Sequence, residues 1–301
     1  MRFYPPHSQG VRILIAVTGA TGQLGRLVVQ ALLSKVSAAE IVALARSPAK
    51  AADLAAQGVQ VRQADYEQPA TLDTALTGID TLLLISSSEV GRRVPQHRAV
   101  IDAAQRAGVQ LLAYTSVLHA ERSPLGLAPE HLETEGLLRA SGLPHALLRN
   151  GWYSENYTAS IPAALAHGAL LGSARQGRIA SAARADYAEA AAVVLTTQGH
   201  AGKVYELAGD SAYTLSDLAA EITRQSGQTV VYTDLPEEAY KAALLDAGLP
   251  EAVAGLLADS DAGAAKDALL DESHELSRLI GRPTTPIAAS VAQALAAAQS
   301  A

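Results

Sequence analysis

The sequence predicts an α/β protein built on a doubly wound parallel sheet, with a smaller C-terminal α/β lobe. Three observations carry that expectation. Short apolar runs rich in β-branched residues alternate with segments of helical period, the first run ends in a glycine cluster that opens a helix, and helices end near a glycine at Gly58, Gly78 and Gly108. Near-continuous apolar strands are buried on both faces, and repeated βα units supply the two helical layers that bury them.

The elements follow in order. Val11–Thr18 (VRILIAVT) is the first strand, and Gly22–Val36 is a helix with Leu24, Leu27, Val28, Ala31 and Leu32 at helical spacing. Ile41–Arg46 is a strand, Pro48–Gln57 a helix opened by proline in its first turn, and Val59–Tyr66 the third strand. Helices at Pro69–Thr77 and Pro95–Ala107 flank a strand at Thr81–Ser86, and Val109–Ser116 is the fifth strand. Beyond about residue 117 the alternation loosens into a helix at Pro129–Ser141, a strand at His145–Gly151 and a helix at Asp186–Thr197. Strands at Lys203–Leu207 and Thr229–Asp234 are separated by a helix that Ser216 caps, and from Pro236 onward the sequence is helical and rich in Ala and Leu. The expected division is a cofactor-binding domain over 11–151 and a smaller substrate lobe over 152–301, with about 186–207 returning to the main sheet.

Composition narrows the function. Of 301 residues 49% are hydrophobic but only 4% aromatic, so the core is built of Ala, Val, Leu and Ile. A net charge of −7 argues against nucleic acid or an anionic membrane surface as partner. Cysteine is absent, which excludes disulfides, thiolate metal sites and cysteine nucleophiles. The first ten residues (MRFYPPHSQG) have no apolar stretch resembling a signal peptide, and no later run reaches membrane-spanning length. The expectation is a soluble, cytoplasmic protein without membrane insertion; a homo-oligomer is compatible with it. No HExxH, no acid cluster of metal-ligand spacing and no G-x-S-x-G elbow is present, so no metal is expected.

The glycine cluster is Gly19-Ala20-Thr21-Gly22-Gln23-Leu24-Gly25. In a first βα turn, Gly19 permits the tight turn, Gly22 the approach of a pyrophosphate and Gly25 the packing of helix on strand, while the helix N-terminus offers N–H groups to the anion. A Walker A loop does not fit, because Arg26 follows Gly25 and the Lys-Ser/Thr pair is missing. The end of the second strand carries Arg46, with Lys50 one turn on, where an acid would select the 2′-hydroxyl of NADH. A guanidinium there suits a 2′-phosphate, so the expected cofactor is NADPH. Asp65 either faces the adenine or is a turn acid. Ser86-Ser87-Ser88-Glu89-Val90 follows the fourth strand, placing Ser88, Glu89 and Val90 against the inner half of the dinucleotide.

Several segments together resemble the NmrA-like group of atypical short-chain dehydrogenase/reductases, and within it the bacterial type 2 NAD(P)H:quinone oxidoreductases. The resemblance runs from about Ile13 nearly to the C-terminus, on TGATGQLG, ALARSPAK, LLLISSSEVGRRVPQHR, AYTSVLHAERSPLGLAPEH, LLRNGWYSENY, KVYELAGDSAYTL and LIGRPTT. It implies that Asn150, Gly151, Trp152, Tyr153, Ser154 and Glu155 line the nicotinamide end of the cofactor. The residues themselves suggest that Trp152, Tyr153 and Tyr157 offer flat faces for a quinone and Asn156 a donor to its carbonyl. Three of the twelve aromatic residues fall in these eight positions, which favours a site over ordinary packing.

None of the ten tyrosines has a lysine four residues later, so the Tyr-x-x-x-Lys pair of ordinary short-chain dehydrogenases is absent. The corresponding helix offers His131 and Glu135 instead. A quinone tolerates that loss: it is already electrophilic, its reduction restores an aromatic ring, and water suffices as proton source. The expected function is therefore NADPH-dependent quinone reduction by direct hydride transfer without flavin, with positioning as the protein's main contribution. The catalytic residue is left unknown, with His131 and Asn156 as candidates; His131 is either a proton donor or an exposed helix residue paired with Glu135. Ser116 either touches substrate or caps a turn, and Asp186 is a helix cap or a ligand contact. Two other readings stand beside this one: an NmrA-like NADP(H)-binding redox sensor that acts through a protein partner, and an ether or double-bond reductase of the isoflavone type, which needs a catalytic lysine not found near His131. A sensor has no need of the aromatic segment.

Overall fold

A computed structural model describes residues 13–299; Val11 and Arg12 of the first expected strand, and the ten residues before them, lie outside the described residues. The described residues form nine strands: β1 Ile15–Val17, β2 Ile41–Ala45, β3 Gln60–Gln63, β4 Thr81–Leu84, β5 Leu111–Val117, β6 His145–Asn150, β7 Ala169–Gly172, β8 Val204–Leu207 and β9 Val231–Asp234. Seven form one sheet in the order β3-β2-β1-β4-β5-β6-β8, flanked by helices. The pairs β1–β2, β1–β4, β2–β3 and β4–β5 are parallel, with Ile15 opposite Ile41 on one side and Thr81 on the other. This is a Rossmann-like doubly wound sheet. Every residue of β1, β2 and β4 is buried, which is why those runs are apolar without alternation.

The chain divides into two compact units. The first comprises residues 13–120, Pro129–Arg149 and Tyr187–Tyr205. Its core joins Ala16, Leu44, Leu82, Leu84, Ile101 and Leu147, with Tyr114 buried among them. The second comprises Glu121–Ala128, Asn150–Asp186 and residues 206–299. It holds a separate parallel pair, β7 with β9, and the C-terminal helices Glu237–Asp246, Glu251–Ala264, Glu275–Ile280 and Ile287–Gln299. No helix among the described residues is long and apolar enough to cross a membrane.

Several elements differ from the sequence expectation. The fourth strand stops at Leu84 rather than Ser86, because the next two N–H groups turn to side chains: Ile85 donates to Thr18 Oγ1 and Ser86 to Thr115 Oγ1, each at 2.9 Å. Pro48–Gln57 is a 3-10 turn over Pro48–Ala51 followed by a short α-helix, Ala52–Ala56. Thr214, not Ser216, caps the helix Leu215–Ser226, in a reciprocal capping box with Asp217. The strand β7 and the short helices Ser154–Thr158 and Ile161–His167 were not foreseen. In β7 the sequence ALLG carries no β-branched residue, so nothing local marks it as a strand.

Helix Gln23–Leu33 packs on β1 so closely that a Cβ on Gly25 would overlap the Gly19 carbonyl oxygen and lie 2.8 Å from the Ala20 Cα. Gly136, inside helix Ala128–Ser141, has open space instead. Urea unfolding should therefore separate two alanine substitutions: Gly25→Ala destabilises by about 1–3 kcal/mol or more, whereas Gly136→Ala stabilises by about 0.5–1 kcal/mol. Equal shifts would show that the close approach at Gly25 is not a constraint.

Candidate active site

Strand order reverses between β1 and β4, and the crevice beyond their C-terminal ends is where open α/β sheets bind ligands. A pocket of about 580 Å³ lies there, lined entirely by the first unit. Gly19, at φ +57°, turns the chain out of β1, and Gly22 N–H returns to the Gly19 carbonyl at 2.9 Å. Gly19, Thr21, Gly22, Gln23 and Leu24 line the pocket, while Ala20 is buried beneath, its N–H on the Leu44 carbonyl at 3.2 Å. The helix begins with no side-chain cap on Gly22 and no acid in its first turn, so its N–H groups face the pocket without a competing protein anion.

The loop after β4 forms another wall through Ser86, Ser87, Ser88 and Glu89; Val90, more than half exposed, is not part of the lining. Side chains from several elements hold this loop. Thr18 and Thr115 accept its first two N–H groups, as above, and His97 Nε2 accepts the Ser87 N–H at 2.9 Å. Because Nε2 accepts, the proton of neutral His97 sits on Nδ1, which donates to Thr134 Oγ1 at 3.0 Å; that hydroxyl donates to the Glu130 carbonyl. Burial, aided by the Arg93 charge, drives the His97 pKa down to about 3. Arg93 Nε donates to the Ser87 carbonyl at 2.8 Å, and Tyr66 Oη to the Ile85 carbonyl at 3.2 Å. Sequence reasoning missed Thr18, Thr115 and His97, whose positions in strand or helical runs do not show which backbone N–H each accepts.

At the far end the lining includes Arg46, Ser47, Lys50 and Asp65. Arg46 Nη1 lies 3.3 Å from Glu89 Oε1. Arg26 pairs with Asp53 and donates to the Lys50 carbonyl at 2.7 Å, fixing the turn that carries Lys50. Asp65 is a turn acid, its carboxylate accepting from Glu67 N–H and Gln68 Nε2, and the residue also lines the pocket. Among the described residues no group of three or more His, Cys, Asp or Glu could hold a metal.

His131 and Glu135 are not the exposed pair that their spacing suggests. Both are buried, and each is bonded elsewhere. His131 Nδ1 meets Tyr114 Oη at 2.8 Å, and burial, followed by the Arg93 charge and the competing imidazole of His97, holds its pKa well below the ordinary imidazole value. A neutral, enclosed imidazole is a poor proton donor at neutral pH. Glu135 takes Arg149 bidentately at 2.9 and 2.6 Å and Ser116 Oγ at 2.6 Å. Ser116 is thereby committed to Glu135 rather than capping a turn.

The aromatic segment belongs to the second unit. Gly151 N–H bonds the Leu207 carbonyl at 2.7 Å, and Trp152 and Ser154 bridge to Ala182 through their backbones. Trp152 and Tyr157 are buried with ring centroids 6.3 Å apart, and Tyr157 Oη donates to the buried Asp261 at 2.9 Å. Half-buried Tyr153 lies under the Arg184 guanidinium, 4.7 Å from its ring centroid, and Arg184 Nη2 reaches Asn156 Oδ1 at 3.5 Å. Glu155 accepts the Arg184 N–H at 2.9 and 3.0 Å, opening helix Arg184–Thr196, and Ser154 Oγ meets Ser181 Oγ at 2.9 Å. Asn150 Oδ1 is buried with no hydrogen-bond partner. Asp186 accepts from Arg282 Nη2 and Thr285 N–H, both at 2.8 Å, and so ties down the segment before the last helix.

A family model described as the NmrA-like family matches residues 12–271. Quinone oxidoreductase 2 of Escherichia coli (strain K12) is 62% identical over 278 residues, which cover 92% of this chain and 97% of that protein. Among solved structures, the NADPH-dependent quinone oxidoreductase QOR2 from Escherichia coli, complexed with NADPH, has a TM-score of 0.91 at 61% identity, covering 94% of this chain and 100% of that one. The Citrobacter sp. triphenylmethane reductase complexed with NADP(H) has a TM-score of 0.90 at 40% identity, covering 93% and 99%.

The neutral state of His97 gives the fold an acid limb. Between its ordinary pKa of 6.5 and the folded value of about 3, the unfolded chain binds the extra proton, so stability falls as pH drops through that window. His97→Gln keeps an acceptor and a donor but does not titrate. Urea midpoints measured from pH 7 down to pH ~4 should therefore fall less steeply in that variant than in the parent. Parallel curves would show that His97 does not carry the effect.

Proposed function

The chain belongs to the NmrA-like family, and from that premise we infer that it is an NADPH-dependent quinone reductase, acting in the cytoplasm on a small-molecule quinone. The observation that carries this reading is the pocket: a glycine cradle at an uncapped helix N-terminus, with Arg46 and Lys50, and no acid at the end of β2. The cradle fits a dinucleotide, since side chains at Gly22 or Gly25 would crowd the Gly19 carbonyl that shapes the turn. When bound, NADPH supplies the reducing equivalent as a hydride, and the quinone takes it up with one proton to become hydroquinone.

The protein's own part is positioning. N–H groups of the turn, with Thr21, Gln23 and Leu24 around them, take the pyrophosphate, and Arg46 and Lys50 take the 2′-phosphate. Ser86, Ser87 and Ser88 keep the wall low, and their backbone is fixed by Thr18, Thr115 and His97. In the second unit, the segment from Asn150 to Tyr157 is the proposed nicotinamide and quinone element. Asn150 has a buried acceptor left for a ligand N–H, and the ring of Tyr153 and the amide of Asn156 are both held by Arg184. Trp152 and Tyr157 support the segment by packing on each other, and His131, buried and neutral, is not needed as an acid. The relatives named above are a quinone oxidoreductase and a triphenylmethane reductase, which gives the sensor reading no support.

Two measurements test this. Purified, flavin-free protein should oxidise NADPH, followed by absorbance, when a simple benzoquinone or naphthoquinone is added; a rate no higher than background overturns the enzyme reading. Arg46→Ala should weaken NADPH binding by about tenfold or more, the scale of a charge-assisted contact to phosphate, and leave NADH binding nearly unchanged. Equal losses for the two nucleotides would remove Arg46 from the 2′-phosphate site.

A further inference from the structure

The anion pocket contains a carboxylate on the very guanidinium meant for the ligand. Glu89 Oε1 lies 3.3 Å from Arg46 Nη1, so the end of β2 and the loop after β4 are bridged across the pocket. The other oxygen, Oε2, accepts from Gln96 Nε2 at 3.0 Å and lies 3.8 Å from Arg92 Nη1. Arg92 and Gln96 are in turn shared with Glu67, at 2.5 and 3.3 Å. One oxygen of Glu89 is thus anchored on its own side, and the other extends to an arginine whose side chain is 73% exposed.

We propose that Glu89 is an internal competitor for the 2′-phosphate at Arg46 and thereby moderates the preference for NADPH over NADH. The proposal rests on the reading that Arg46 receives the 2′-phosphate. A phosphate carrying nearly two charges displaces a single carboxylate from the guanidinium, while Gln96 and Arg92 keep the displaced Glu89 in place. A ribose 2′-hydroxyl has no charge with which to displace it, and finds in Glu89 an acceptor. The carboxylate therefore taxes the phosphorylated nucleotide and assists the other one. Neutralising it raises affinity where the 2′-phosphate is present and only there. The gain is that of one exposed ion pair, about two- to fivefold in Kd.

Calorimetric titration with adenosine 2′,5′-bisphosphate and with 5′-AMP, at low salt, reads this without turnover. The proteins are the parent, Glu89→Gln, Arg46→Ala and the double variant, each checked for an unchanged circular dichroism spectrum. Glu89→Ser replaces Glu89→Gln if the latter does not fold. Glu89→Gln should bind the bisphosphate about two- to fivefold more tightly and 5′-AMP no more tightly than the parent, and the gain should vanish in the Arg46→Ala background. Weaker or unchanged bisphosphate binding in Glu89→Gln, a matching gain for 5′-AMP, or a gain that survives Arg46→Ala overturns the role of Glu89. If Arg46→Ala alone binds the bisphosphate as the parent does, the 2′-phosphate reading of Arg46 fails, and this proposal falls with it.

Discussion

The contact between helix Gln23–Leu33 and the turn beneath it is the constraint on which the site depends. With no side chain at Gly25, the helix axis can come down onto the Gly19 carbonyl and the Ala20 backbone. That closeness brings the helix N-terminus level with the C-terminal ends of β1 and β4, where the strand order reverses. A helix held even one side-chain radius away would point its free N–H groups over the crevice instead of into it. The packing requirement and the anion-binding requirement are therefore one requirement, and both act at the same residue. The aromatic-poor composition suits it, because small aliphatic side chains let helices lie close to a sheet throughout the first unit.

The opposite wall meets a different constraint. Past Leu84 the chain leaves the ladder, and its N–H groups lose their strand partners while still part-buried. Backbone donors in that position must find acceptors or cost about 1–3 kcal/mol each. Thr18, Thr115 and His97 supply them from β1's end, β5 and helix Arg93–Ala107. A histidine can serve here only if it stays neutral, since an imidazolium has no lone pair to offer the Ser87 N–H. Burial enforces that neutrality. The shape of the pocket wall is thus set by buried polar groups, none of which needs to touch the ligand.

This difference explains what could be read from the chain beforehand. The glycine turn was legible because three positions in seven carry separate steric demands, and because it sits in a series of βα units that fixes its context. Arg46 was legible because an acid is conspicuous by its absence at one defined strand end. Thr18 and Thr115 were not, since a threonine at the end of an apolar strand reads as a β-branched residue and nothing in its spacing shows which N–H it will accept. His97 looked like one more polar residue in a helix of weak amphipathicity. His131 and Glu135 were misleading for the converse reason. Their i, i+4 spacing suggests a pair on a helix surface, but that face is buried, and Tyr114, Ser116 and Arg149 reach it from β5 and β6, the strands on either side of the helix in the chain. Second-unit elements such as β7 were missed because four residues carry too little period to register.

Glu135 also bears on why the chemistry can do without an acid on this helix. A carboxylate with no exposed surface is tolerable only when its charge is matched, and Arg149 matches it through two parallel N–H contacts, with Ser116 satisfying a further lone pair. Arg139 Nη1, 3.5 Å from Glu135 Oε2, adds a second positive charge, so the carboxylate is held ionised and is a poor proton donor to a substrate. Glu135 on this helix is therefore spent on holding β5, β6 and the helix between them together. A substrate whose reduction needs a strong protein acid would be badly served by such a site. One that becomes an aromatic diol on accepting a hydride, and can take its proton from water, would not. The structural lock at Glu135 and the absence of a Tyr-x-x-x-Lys pair are two views of the same exchange, in which general acid catalysis is given up and rigidity beside the pocket is gained.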